Sequence, residues 1–463
     1  MKLKLTTKLL KLSMLCTVAI SASIVTPSAL SVLPGVNLAT VQAAEKQKTT
    51  RVPALREKVY SQLARAQKLA DDGDSKAGLD ALDSIQARSS SMNSYEIAMM
   101  HNFYGFIYYN ENDLVKAIAS FEKVIAEDGI PETLRLSTTF SLAQLAMANS
   151  DYKKVIAFLD KWDAINTKPK TDAYYLLRAQ TYYQLKDYEQ GLSYITQAIN
   201  LSDSEGKVPK ENWLVLQRAM YYSLNQTDKV VSVLERMVKL YNKPEYWVQL
   251  GGMYGETGKE KQQLAILEAA YQQGFLTSKS DLRQLAQVYL YNQLAYKAAS
   301  VMSKAIEQGI AEPTAKNYAF VAEAMVQAKE DAKSISYFTK AAERSEHGKY
   351  DQRLAEVYVN TEQYDEAADA AQMALDKGGL DFESNAFVAL GMAQYNLQNF
   401  DASILAFEQA EKHKKSQRLA QQWIKYVKRE KVHAQTLKTA LLLVILLKVF
   451  YRVNWIVQSL LTK

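Results

Sequence analysis

The chain has 463 residues and a formal net charge of +6, and it is longer than most single globular domains. Its one cysteine, Cys16, lies near the N-terminus, so the sequence beyond it offers no disulfide, thiolate metal site or cysteine nucleophile. Residues 1–43 carry +4, residues 412–438 carry +8 and residues 439–463 carry +3, which leaves −9 for the body. An acidic body with one basic end argues against nucleic-acid binding and leaves room for an acidic partner or an anionic membrane at that end.

The first 43 residues have the pattern of an export signal. Four lysines precede an apolar, uncharged segment over residues 12–25. Val41, Gln42 and Ala43 then place small or apolar residues where a signal peptidase cleaves. We therefore predict a signal peptide over residues 1–43.

Residues 44–97 are expected to contain a first helical hairpin. Its apolar pattern runs from about Tyr60 to Ala87 and is interrupted at Gly73 and Asp74. Glycine beside aspartate is a turn signal, so the two halves should fold back on each other.

A repeated helical frame follows over residues 98–417. Its clearest copy has Trp247, Leu250, Gly251 and Tyr254 on one helix and Leu267 on the next, the pattern of a tetratricopeptide repeat. The apolar residues share one helical face, and the small Gly251 lets the second helix approach closely. The frame recurs around Gly105, Ala143, Ala179, Ala286, Ala322, Ala355 and Gly391, and in degenerate form around Arg218. The sequence predicts an all-α fold, a tetratricopeptide-repeat solenoid forming a right-handed superhelix of about ten hairpins.

The same register predicts which side chains line the inner groove. The first helix of each hairpin lines that surface, and groove-facing positions follow the packing positions by one residue or one turn. Aromatic side chains give contact area there, and amides pair with peptide backbone groups. The alternative is that tyrosine, with 29 copies, is simply abundant. The predicted protein-binding groove residues are Phe106, Tyr109, Asn110, Phe140, Gln144, Tyr183, Gln184, Tyr222, Tyr291, Asn360, Met392, Tyr395 and Asn396.

Nothing in the sequence predicts catalysis, a metal site or a cofactor. The four histidines lie far apart and lack ligand-like spacing. The many carboxylates fit solvated helix faces, and no two of them are marked as an acid and base pair. We therefore expect a binding protein and not an enzyme.

The C-terminal end divides into a cap and a tail. Residues 418–438 predict a basic helix that closes the last repeat. Residues 439–463 form an apolar tail, which we expect to be an amphipathic helix at a membrane interface; packing on a partner and spanning the bilayer are the alternatives. The residues expected at the interface are Leu441, Leu446, Lys448, Arg452 and Trp455.

Three strings give the chain a more specific resemblance, over roughly residues 51–438. They are VYSQLARAQKLADDGDSKAGLDALDSI, YEIAMMHNFYGFIYYNENDLVKAIASFEKVI and QRLAQQWIKYVKREK. In these the chain resembles the tetratricopeptide-repeat proteins assigned to TonB-type energy-transducing systems of Gram-negative bacteria. The resemblance implies a periplasmic scaffold near TonB, ExbB and ExbD, assisting iron-siderophore or cobalamin uptake, with contact to the inner-membrane surface. The alternative function is an assembly or chaperone factor for envelope proteins or polysaccharide export.

Overall fold

The computed structural model describes residues 53–461, with side chains as far as residue 455. The predicted signal peptide over residues 1–43 lies outside the described residues. The described chain contains 21 α-helices, one 3-10 turn and no strand. It forms two compact units that meet in sequence at Tyr241 and Asn242.

The first unit is a stack of five helical hairpins. Each odd-numbered helix packs against the even-numbered helix that follows it. The helices are α1 (Glu57–Asp71), α2 (Ser75–Gln86), α3 (Ser94–Asn110), α4 (Leu114–Ala126), α5 (Glu132–Ala148), α6 (Tyr152–Ile165), α7 (Asp172–Gln184), α8 (Tyr188–Ser204), α9 (Glu211–Ser223) and α10 (Thr227–Tyr241).

The second unit contains five further hairpins and a long terminal helix. Its helices are α11 (Pro244–Glu256), α12 (Glu260–Gln272), α13 (Lys279–Tyr291), α14 (Ala295–Glu307), α15 (Ala315–Gln327), α16 (Asp331–Ala342), α17 (Lys349–Asn360), α18 (Tyr364–Lys377), α19 (Glu383–Asn396), α20 (Phe400–Glu411) and α21 (Gln417–Leu461). With ten hairpins between residues 53 and 411, the predicted tetratricopeptide fold is confirmed.

Small residues on the first helix of a hairpin face large residues on the second. A Cβ atom added at Gly105 would lie 2.6 Å from the Phe121 ring, and one added at Gly391 would lie 2.8 Å from the Phe407 ring. The partners are sixteen positions apart in both hairpins, so the contact recurs with the repeat. Phe121 and Phe407 are both buried, and burial of each side chain stabilises its hairpin by about 2–3 kcal/mol.

The turn inside each hairpin is as regular as its core. The small residue on the first helix, such as Gly105, is followed seven positions later by a residue with a positive φ. Gly73, Asn112 and Glu362 are examples. Glycine and asparagine adopt this left-handed conformation most readily. The helix after the turn often begins with an aspartate cap, and Asp113 accepts the backbone N–H of Lys116 at 3.0 Å.

The last hairpin is closed by the first half of α21. Ala420 and Val427 are buried against it, and Trp423 stacks on Phe407. The helix does not end near Lys438 but continues to Leu461. The predicted cap and tail are therefore one continuous helix. Similarly, α3 begins at Ser94, four residues before the predicted start of the array at residue 98.

Candidate functional site

The predicted groove residues lie on the first helices of the hairpins. Some of these helices also pack on one another, as α1 does on α3 and α17 on α19. Where they do, side chains at equivalent positions lie on neighbouring helices. The surface formed by the first helices is the candidate binding surface in each unit.

In the first unit, three aromatic members of this set are half-buried and held by aromatic partners. The Phe106 ring meets the Phe121 ring edge-on at 5.5 Å. Phe140 lies 5.7 Å from Trp162, and Tyr183 lies 5.7 Å from Tyr188. Each ring is thus fixed by a neighbour and still presents part of its surface to solvent.

The remaining first-unit residues differ in exposure. Tyr109 and Gln144 are half-buried, whereas Asn110, Gln184 and Tyr222 are exposed at the C-terminal ends of their helices. The structure places all of them on first helices, but it does not gather them into a single pocket.

In the second unit, two predicted tyrosines are already engaged by the chain. The Tyr291 hydroxyl donates a hydrogen bond to Glu260 Oε1 at 2.6 Å. The Tyr395 and Tyr426 hydroxyl oxygens are 3.0 Å apart, and the Trp423 ring lies 5.8 Å from the Tyr395 ring. This hydrogen bond, with burial, raises the pKa of Tyr395 to about 12. Tyr395 is therefore covered by α21.

A pocket of about 260 Å³ lies between α17, α19 and the start of α21. Its apolar wall includes Val359, Val388, Met392 and Leu419, and Asn360 lies at its edge. Asn360 and Met392 are the two predicted groove residues that the structure brings together here. We call this site the α17–α19 pocket.

Amide groups give the pocket its hydrogen-bonding capacity. Asn360 and Asn385 line it, and neither side chain has a hydrogen-bond partner within residues 53–455. An asparagine side chain offers both a donor and an acceptor, and both asparagines are exposed, so each can pair with a backbone N–H or C=O of a ligand. Asn396, by contrast, donates to the Met392 carbonyl at 2.9 Å on its own helix.

The charged groups around the pocket are partly neutralised. Glu356 pairs with Arg353 and accepts a hydrogen bond from Gln352 Nε2 at 3.1 Å. Arg353 also donates to both carboxylate oxygens of Glu323 at 2.8 Å, and these hydrogen bonds raise the pKa of its guanidinium. Lys415, at the other side of the pocket, lies over the Phe382 ring. The pocket is therefore lined by one acidic and one basic residue, Glu356 and Lys415.

Several pocket residues were missed by the sequence analysis. Asn385 and Val388 precede Gly391 by six and three positions, so the repeat register could have indicated them. Lys415 and Leu419 come from the segment after α20 and the start of α21. No local pattern shows that this segment passes beside α17 and α19.

A buried charge cluster in the first unit has a structural role. The Arg178 guanidinium is almost fully buried and donates to Asp160 at 2.6 Å, Asp163 at 2.8 Å and the Tyr174 hydroxyl at 2.6 Å. It joins α6 to α7. Across residues 53–461 there is no group of three or more histidine, cysteine or carboxylate side chains placed to hold a metal ion.

The residues predicted for a membrane interface lie beyond the last hairpin. Leu441, Leu446, Lys448, Arg452 and Trp455 are all exposed on α21. In the described part of the chain, a search for helices with the length and hydropathy of a membrane span finds none.

Comparisons with known proteins match the repeat. The family model described as "Tetratricopeptide repeat" matches residues 172–205, which are the α7–α8 hairpin. No curated protein matches the chain.

The chain also matches solved structures of tetratricopeptide-repeat proteins, with low sequence identity and low TM-scores. A tetratricopeptide repeat protein from Parabacteroides merdae is 13% identical, covers 63% of this chain and 94% of its own, and has a TM-score of 0.34. YrrB, described as a TPR protein with an unusual peptide-binding site, is 14% identical with coverages of 41% and 95% and a TM-score of 0.34. The TPR2AB domain of yeast Sti1, described in a pHSP90 complex, is 13% identical with coverages of 56% and 98% and a TM-score of 0.28.

The family match over residues 172–205 and the ten hairpins between residues 53 and 411 agree that the described chain has the tetratricopeptide-repeat fold.

Proposed function

We propose that this chain is a protein-interaction module that holds a polypeptide segment in the α17–α19 pocket. Stacked helical hairpins expose long helix-lined surfaces that are suited to extended partners. The observation that carries the proposal is the pairing of an apolar wall with two amides, Asn360 and Asn385, that no neighbour uses. Such a wall accepts a side chain while the amides bind the backbone beside it.

The size of the pocket favours an anchoring side chain over a free small molecule. Small-molecule sites commonly measure roughly 300–1,000 Å³ and enclose most of their ligand. At about 260 Å³, the α17–α19 pocket suits one or two apolar side chains. The rest of the ligand would continue along the surface beside Lys415, where Phe382 is 48% exposed.

A peptide selection followed by titration tests the proposal. Peptides from a random library displayed on phage are selected against the full chain, synthesised and titrated by calorimetry. Met392→Arg places a charge in the pocket wall and should weaken binding at least tenfold. Met373→Arg is the matched control, because Met373 lies on α18 with 57% of its surface exposed; its affinity should equal that of the wild type.

Two results would contradict the proposal. One is the absence of any saturable peptide binding by the wild-type chain. The other is equal affinity for the wild type and Met392→Arg when circular dichroism shows both to be folded. Asn360→Ala and Asn385→Ala provide milder variants, each expected to weaken binding several-fold.

A finer form of the proposal places the chain in the periplasm beside TonB, ExbB and ExbD. It is supported by the three strings that resemble that group and by the signal pattern in residues 1–43. Crosslinking in intact cells, followed by purification of the chain, should recover ExbB or ExbD from wild-type cells and less from Met392→Arg cells. Recovery of unfolded envelope proteins without these subunits would favour the assembly-factor alternative.

A further inference from the structure

The second half of α21 presents an apolar surface that no other part of the described chain covers. Up to Val427 the helix packs on the last hairpin. Between Leu441 and Trp455, twelve large apolar or aromatic side chains are each at least 48% exposed. Contiguous exposed apolar area of this kind marks an interaction surface.

The arrangement of these side chains narrows the choice of partner. Leu441 to Leu447 are seven successive apolar residues, so at about 100° per residue they surround the whole helix. Farther along, Lys448 and Arg452 lie one turn apart on one side, and Leu446, Val449 and Val453 lie on another. A protein groove covers one side of a helix, whereas the boundary of a lipid layer can surround it below the headgroups.

Charge favours an anionic surface. Residues 425–455 contain seven lysines and arginines against one acid, Glu430, a net charge of +6. Lys438, Lys448 and Arg452 have no ion-pair partner among the described residues. Basic residues flanking an exposed apolar helix are attracted to anionic lipid headgroups. Tyr451 and Trp455, also one turn apart, are residue types enriched at the membrane boundary.

We propose that residues 438–455 of α21 bind the surface of an anionic phospholipid membrane. The apolar ring formed by residues 441–447 and the stripe of Leu446, Val449 and Val453 enter the acyl boundary, and Lys448 and Arg452 reach the headgroups. If α21 instead packed in parallel on α21 of a second copy, part of the apolar surface of residues 441–447 would stay in water. The positive charges of Lys448 and Arg452 on the two copies would also come together. The lipid surface is therefore the better match. This inference does not depend on peptide binding in the α17–α19 pocket.

A single dye reports on the tail alone. Since Cys16 is the only cysteine, Cys16→Ser with Val449→Cys leaves one thiol for an environment-sensitive nitrobenzoxadiazole label on the full chain. Vesicles contain phosphatidylcholine alone or with about a third phosphatidylglycerol. The matched control carries Leu405→Cys on α20, where Leu405 is 61% exposed. Adding Leu446→Asp and Val453→Asp tests the apolar stripe.

With phosphatidylglycerol vesicles, dye at position 449 should brighten at least threefold and shift to the blue, while dye at 405 should not change. Leu446→Asp with Val453→Asp should weaken vesicle binding at least tenfold, and raising the salt from 50 to 300 mM should weaken it several-fold.

Three outcomes overturn the proposal. The fluorescence at position 449 could stay unchanged, or it could change equally at positions 449 and 405. It could also change at position 449 without vesicles and increase with protein concentration. The last would assign the surface to a second copy of this chain.

Discussion

Trp423 stacks on Phe407, with ring centroids 5.4 Å apart and ring planes inclined by 9°. Phe407 in turn closes over Gly391, which has no Cβ to obstruct the ring. One layer therefore runs from the first helix of the last hairpin, through its second helix, to α21. The stack of Trp423 on Phe407 therefore ties the cap to the core of the last hairpin.

We expect Trp423→Ala to destabilise the second unit by about 2–4 kcal/mol, because a half-buried stacked ring is replaced by a cavity or by water. Trp455→Ala makes the same substitution on the same helix, where the side chain is 72% exposed, and should change stability by less than about 0.5 kcal/mol. Urea unfolding followed by circular dichroism measures both. Equal effects of the two substitutions would contradict the packing described for α21.

Two glycines in the first unit should respond in opposite directions to alanine. At Gly105 an added Cβ meets the rigid Phe121 ring at 2.6 Å, so Gly105→Ala should cost about 1–3 kcal/mol. At Gly191 it meets the flexible end of Met220, which can move aside. Gly191→Ala should then be neutral or stabilising by up to about 1 kcal/mol, through helix propensity. Thermal unfolding of both variants provides the measurement, and loss of stability in both would argue against the distinction.

The buried Arg178 cluster should contribute more to the free energy of unfolding than an exposed arginine–aspartate ion pair does. Arg178→Ala leaves Asp163 and the Tyr174 hydroxyl without their buried guanidinium partner and should cost about 3 kcal/mol or more. Arg236→Ala removes the exposed pair with Asp203 and should cost less than about 1 kcal/mol. Urea unfolding of the two variants should reproduce this order; a larger loss for Arg236→Ala would contradict it.

Glu96 should make the first hairpin sensitive to acid. Its buried carboxylate accepts hydrogen bonds from Arg56 Nε at 2.7 Å and from the Asn93 backbone N–H at 3.0 Å. Chiefly because of the Arg56 hydrogen bond, its pKa falls from 4.5 to about 2. Because the folded-state pKa is the lower one, this stabilisation is present above pH 4.5 and is lost as the pH falls towards 2.

Comparison with Glu96→Gln isolates that contribution. At pH 7 the free energy of unfolding of the variant should be lower by about 1–2 kcal/mol. The pKa shift alone would give a larger difference, but Arg56 is largely exposed and solvent screens its charge. The difference from wild type should shrink between pH 5 and pH 2, as followed by urea unfolding at several pH values. A difference that stays constant over this range would show that the carboxylate charge contributes nothing.

The hairpins were predictable because their determinants are local and repeated. Gly251 with Leu267 and Gly391 with Phe407 keep the same sixteen-residue separation, and each pair forms the contact that the pattern predicts. Even the hairpin with Arg218 at the small position forms α9 and α10, since the rest of its apolar face is intact.

The pocket was only partly predictable. The register indicated Asn360 and Met392, but Lys415 and Leu419 reach the site through a chain reversal that has no sequence signal. For the same reason Tyr395, which the register assigns to the open groove, lies beneath α21. The sequence predicted a helix on each side of Thr439 but not that they form one helix, because a change of composition does not by itself end a helix.

Hydrogen exchange of the full chain with and without a selected peptide tests the central claim most directly. Binding in the α17–α19 pocket should slow exchange in α17, in α19 and in the first turns of α21, with little change in α18 and α20. Protection confined to α18 and α20, or no protection in the second unit at saturating peptide, would contradict the account.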